Sequence, residues 1–131
     1  MKLTSGAITI PIERDGSMAG SITFNPEDVG FAQKFYALSE GLGVKEREYD
    51  AVLRDESAPM EKKLQTLWEI CGWLKEQVDL VFGEGCSETV FGGGCSPDMF
   101  RQFFAGVEPI IRKSRSGKTK KYTDEGGDVM E

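Results

Sequence analysis

Apolar and polar residues alternate near the N-terminus. Ile8, Ile10 and Ile12 fall on one face of an extended segment, with Thr9, Pro11 and Glu13 on the other. This is the period-two pattern of a half-buried strand. Pro11 has no N–H to give a ladder, which makes it an edge strand. Arg14-Asp15-Gly16-Ser17 supplies an Asp-Gly turn. Ser21-Ile22-Thr23-Phe24 then resumes the alternation with Ile22 and Phe24 inward. The pattern predicts an N-terminal β-hairpin, and an isolated hairpin is marginal in water, so its apolar face must dock on the rest of the chain.

Beyond residue 25 the period changes to that of helices. Asn25-Pro26-Glu27-Asp28 reads as an N-cap, a first-turn proline and two acids at the positive end of a helix dipole. Phe31, Phe35, Leu38 and Leu42 follow as one stripe, and Gly41 and Gly43 read as its C-terminal stop. The charged segment 44–56 predicts a shorter helix anchored by Tyr49, Val52 and Leu53. Ser57-Ala58-Pro59 opens the longest helix, Pro59 to Phe82. Its seam is Met60, Leu64, Leu67, Cys71, Leu74, Val78 and Val81, widened by Trp68, Ile70, Trp73 and Phe82. Val81-Phe82-Gly83-Glu84-Gly85 and Val90-Phe91-Gly92-Gly93-Gly94 echo each other nine residues apart. Their glycines permit positive φ and predict a fixed turn between two helices. Ser96-Pro97-Asp98 starts a last helix, with Phe100, Phe103, Phe104, Val107, Ile110 and Ile111 as a broad apolar face. Gly106 and Pro109 are expected to bend or weaken it near residue 106.

The resulting expectation is an α+β fold: an N-terminal β-hairpin packed on a bundle of about four helices, forming one domain over residues 1–111. Residues 112–131 are expected to be a disordered charged tail, because apart from Tyr122, Val129 and Met130 they have little apolar surface to offset the entropy of ordering. At 131 residues the chain is long enough for a real core without covalent staples. Its net charge of −6 is unevenly placed. Residues 1–111 hold 10 basic and 18 acidic groups, a net of −8, while residues 112–121 hold six basic groups and no acid.

Composition narrows the chemistry. The chain has no histidine, which removes His general bases, Ser-His and Cys-His nucleophile pairs and His-ligated metals. Cys71, Cys86 and Cys95 are too few for a four-ligand zinc site and include no CxxC. They read as free thiols in a reducing cytosol; a Cys86–Cys95 bridge would need an oxidising compartment. Ser116-Gly117-Lys118-Thr119 imitates the end of a phosphate-binding loop, but Arg112 stands where its first glycine would be and no strand precedes it. The acid pairs, Glu27/Asp28 and Asp55/Glu56, sit at a helix start or on a charged surface. No enzyme, cofactor or metal is expected. No apolar run suits a membrane span, and the N-terminus lacks a signal-peptide pattern.

The hairpin, the Asn25-Pro26 helix with Phe31 and Phe35, the long helix running into Val81-Phe82-Gly83-Glu84-Gly85, and Val90-Phe91-Gly92 ahead of the Phe100/Phe103/Phe104 helix form a recognisable series. Over residues 20–122 the chain resembles the small tail assembly chaperones of long-tailed phages and prophages of Gram-positive bacteria. The resemblance implies a non-enzymatic protein of the bacterial host cytoplasm, oligomeric and absent from the mature virion. It implies two partners: the tape measure protein, which such chaperones keep soluble, and the tail tube protein, which they recruit around it. Many members also have a longer, frameshifted form; Lys120-Lys121 marks where a slippery codon run would fall.

Wide apolar faces on the long and last helices point to Trp68, Trp73, Phe82, Phe91, Phe100, Phe103 and Phe104 as the partner-binding surface, the competing reading being that all seven are core. Two rival functions stand beside the chaperone: a structural or connector phage protein, and a small regulator binding nucleic acid through residues 112–121. The acidic body disfavours the second.

Overall fold

A computed structural model describes the backbone of residues 1–130 and the side chains of residues 1–114. Strands β1 (Ile8–Arg14) and β2 (Ser17–Phe24) form the expected antiparallel hairpin. Its turn places Asp15 and Gly16 at φ 54° and 79°, the two left-handed positions of a type I′ turn that Asp-Gly fits best. Ile10 pairs with Ile22, and Thr9 with Thr23, whose hydroxyls hydrogen-bond at 2.8 Å on the solvent face. Ile22 and Phe24 are buried, and Ile8, Ile10 and Ile12 pack against the core beside them.

Four helices follow: α1 (Val29–Arg54), α2 (Met60–Phe82), α3 (Cys86–Phe91) and α4 (Pro97–Met130). The architecture is the expected α+β hairpin on a helical bundle, but the helices divide differently. Asp28, not Asn25, caps α1, its carboxylate accepting from the Phe31 N–H at 2.8 Å. Asn25 instead closes a turn, its side-chain oxygen accepting from the Glu27 N–H. The helix then runs through Gly41 and Gly43 without stopping, so the expected short helix over 44–56 is the second half of α1. Gly41 has another role. A Cβ there would stand 2.9 Å from the Trp73 ring, so the glycine lets α1 and α2 approach.

The echoed glycine segments enclose α3 instead of forming a bare turn. Gly85 precedes it at φ 87° and Gly92 ends it at φ 67°. Both are left-handed positions that glycine occupies without steric cost. Three side chains from elsewhere hold this short helix. The Asp79 carboxylate accepts from the Ser87 N–H at 2.8 Å at its start. At its end Lys75 donates to the Gly92 carbonyl at 3.1 Å, and Arg14 donates to the Thr89 carbonyl at 2.8 Å. The carboxylate thus sits at the positive end of α3 and the cations at the negative end.

Aromatic side chains dominate the core. The Phe82 ring lies 5.2–6.1 Å from those of Phe24, Phe31, Phe35 and Phe103, in edge-to-face arrangements. Phe91 packs on Phe100 at 4.3 Å. Each such pair adds about 0.5–1.5 kcal/mol beyond its area, so one phenylalanine ties β2, α1, α2 and α4 together. Pro109 lies inside α4, and Val107 and Ile111 on either side of it are buried. Most of the expected tail, residues 112–131, lies outside the residues whose side chains are described. Arg112, Lys113 and Ser114 continue α4, and Arg112 pairs with Glu108 at 2.9 Å.

The cysteines depart from expectation. Cys71 of α2 and Cys95, ahead of α4, are joined in a disulfide with Cα atoms 5.9 Å apart. Only Cys86 is free. Sequence spacing could not pair residues 24 apart, because it took the docking of α4 on α2 to bring them together.

Candidate functional site

Helix α2 changes environment halfway along. In its last three turns Cys71, Leu74, Val78 and Phe82 are buried. The same stripe continues toward the N-terminus through Leu67, Leu64 and Met60, but there Leu64 and Met60 are 59% and 66% exposed, and the adjoining Trp68 is 61% exposed. Helices α1 and α2 run antiparallel, with Phe35 beside Phe82 and Gly41 against Trp73. The first turns of α2 therefore lie alongside the second half of α1, where eight of residues 44–56 are charged and the apolar Val44 and Leu53 are themselves exposed. An apolar stripe without cover marks an interaction surface more often than an isolated exposed leucine does.

Beside this stripe a groove of about 670 Å³ opens between α1, α2 and α4. Leu42 and Tyr49 come from α1, Leu67, Ile70 and Leu74 from α2, and Phe100 and Phe104 from α4. Charged groups stand on its rim. Lys45 lies 5.4 Å from the centre of the Trp73 ring and pairs with Glu48 at 3.6 Å. Asp98 accepts hydrogen bonds from Gln102, at 2.6 Å, and from Arg101. These hydrogen bonds, with the Arg101 charge, hold the Asp98 carboxyl below its ordinary range and keep it ionised. Glu46 and Glu108 complete the rim. The arrangement suits an amphipathic helix: an apolar floor edged by charges.

The seven residues expected to bind a partner separate into groups. Trp68 is exposed on the stripe, and Phe104 is partly buried in the groove wall. Trp73 is partly buried between Gly41 and Lys45. Phe82, Phe91 and Phe103 are buried among other rings and hold the fold. Phe100 is also buried, with an edge reaching the groove. Size and aromaticity singled out these rings, and large rings are what a small core uses first. Met60, Leu64, Leu42 and Tyr49 were overlooked as surface residues. The signal for them was partial: eight of the thirteen residues 44–56, which run alongside α2, are charged.

Reactive groups are scarce. The Cys86 thiol is pushed up to about 12, first by burial and then by the Asp79 charge, so it stays protonated and non-nucleophilic. Among the described residues no three His, Cys, Asp or Glu side chains gather as a metal site. No helix among them is long and apolar enough to cross a membrane. No protein-family model, curated protein or solved structure matches the chain.

Proposed function

We propose that this protein is a non-enzymatic assembly chaperone of the phage tail type. It holds an amphipathic segment of the tape measure protein on the stripe of α2 and in the adjoining groove, and it helps recruit tail tube subunits. The reading rests on the resemblance of residues 20–122 to that family. The observation that carries it is the exposed run Met60, Leu64 and Trp68, continuous with a buried core stripe. A helical partner laid there extends the core of α2 by two turns. Burying each of these side chains contributes roughly 1.5–3 kcal/mol. The net charge of −8 over residues 1–111 keeps such a sticky protein soluble. Host-cytoplasmic location and absence from the virion belong to the same reading. A second copy of the chain is a further occupant of the stripe, in keeping with the oligomers of the family.

The test is affinity capture of the tagged chain from cells that produce it, with mass spectrometry, beside a Leu64→Glu variant that keeps its helical circular dichroism. A very long helix-rich protein recovered by the wild type and lost with the variant supports the proposal. Capsid or connector proteins in its place support the structural alternative. Nucleic acid alone, lost with salt, transfers the function to the basic segment 112–121.

A further inference from the structure

The geometry points to the Cys71–Cys95 disulfide as a redox latch that fixes one wall of the groove. Cys71 belongs to α2 and lies on the groove surface. Cys95 precedes Pro97 and Asp98, the residues with which α4 enters the opposite wall. Between Phe91 and Cys95 stand three consecutive glycines, the most permissive backbone available. The bridge is therefore the covalent tie between α2 and the start of α4, and without it a glycine linker and the packing of Phe100 on Phe91 position that end.

The two sulfurs differ in access. Cys71 is buried, whereas Cys95 is partly exposed. A dithiol reductant opens the latch from the Cys95 side. Its thiolate attacks Cys95 Sγ, the Sγ–Sγ bond breaks, and Cys71 Sγ leaves with the electron pair and takes a proton. The second thiol of the reductant then displaces Cys95 from the mixed disulfide, so the protein gains two electrons and two protons while the dithiol becomes a disulfide. An oxidised dithiol closes the latch by the reverse exchange. The third cysteine does not interfere. Cys86 is buried within α3, and its protonated thiol does not reshuffle the pair. In a reducing compartment the latch stands open and α4 is free to adjust to what enters the groove; in an oxidising one the wall is set.

The inference is independent of which partner the groove takes, and its test needs none. The full chain is oxidised with oxidised glutathione or reduced with dithiothreitol, alkylated with iodoacetamide under native conditions, and weighed. Amide hydrogen exchange is followed in both forms. The expected result is no alkylation of the oxidised form and, after reduction, labelling of the partly exposed Cys95, with Cys71 labelled only as the groove wall opens. Exchange over residues 93–105 rises roughly tenfold on reduction, with the β-hairpin unchanged. The melting temperature falls by about 10 °C, as for loss of a cross-link closing a loop of this size. A Cys95→Ser variant reproduces the reduced form and ignores dithiothreitol; should it not fold, the reduced wild type supplies the same comparison. Native labelling of all three cysteines after glutathione treatment overturns the proposal. So does identical exchange of residues 93–105 in the two redox states, which leaves the bridge as a mere staple.

Discussion

Lys75 and Asp79, one turn apart on α2, hold opposite ends of α3: Asp79 accepts from the Ser87 N–H and Lys75 donates to the Gly92 carbonyl. A six-residue helix cannot sustain itself in water. It exists because its neighbour offers a carboxylate and an ammonium at a spacing that matches its length. Replacing Asp79 with Ala removes the capping acceptor and is expected to cost about 1–2 kcal/mol. Urea unfolding of D79A against the wild type measures this; a loss below ~0.3 kcal/mol would show that α3 does not need the cap.

Gly41 and Gly72 both lie inside helices, and the same substitution should move stability in opposite directions. Nothing stands within 4 Å of a Cβ placed on Gly72, so Gly72→Ala should stabilise by about 0.5–1 kcal/mol through helix propensity. Gly41→Ala meets the Trp73 ring at 2.9 Å and should destabilise by roughly 1–3 kcal/mol, as overpacking does. Thermal melts of the two variants decide it, and equal gains would disprove the close approach of α1 to α2.

Phe82 and Trp68 separate fold from surface. Phe82→Ala removes the ring shared by four aromatic neighbours and should cost about 3–5 kcal/mol. Trp68→Ala should leave stability within ~0.5 kcal/mol. If the stripe is the partner site, it should also weaken binding by about thirtyfold, the effect of a ~2 kcal/mol anchor. Chemical denaturation and a binding titration on the same samples test both halves of the statement.

Burial of Cys86 makes stability depend on alkaline pH. Its thiol is raised from 9.0 to about 12 in the folded protein. The folded state thus holds its proton where the unfolded chain has lost it. The contribution is complete below pH 9 and disappears as pH rises through the window from 9 to 12. Melting temperatures at pH 8 and pH 10.5, compared with Cys86→Ala, isolate the effect. The wild type should lose more than the variant, and parallel curves would refute the assignment.

Much of the fold was legible along the chain. The isoleucine alternation and Asp15-Gly16 gave the hairpin, and the start of α4 fell at Ser96-Pro97-Asp98 as its capping pattern predicts. What failed was local reading of residues whose reasons are distant. Gly41 looked like a helix stop because its actual partner, Trp73, is 32 positions away. The Cys71–Cys95 pair was invisible for the same reason, as only the docking of α4 on α2 creates it. At the candidate site, side-chain size favoured Phe82, Phe91 and Phe103, which the core had already claimed. Exposure at Met60 and Leu64 depends on what the neighbouring elements leave uncovered, information a single periodic stripe does not contain.

The two-part environment of α2 also bears on how such a chain changes over generations. In its C-terminal half Cys71, Leu74, Val78 and Phe82 answer to the phenylalanine core, and polar changes at those four positions are punished by unfolding. Met60, Leu64 and Trp68 answer to whatever lies against them from outside. One helix is thus split into a fixed half and a half free to drift, so a lineage can follow a changing partner by rewriting two turns without rebuilding its scaffold.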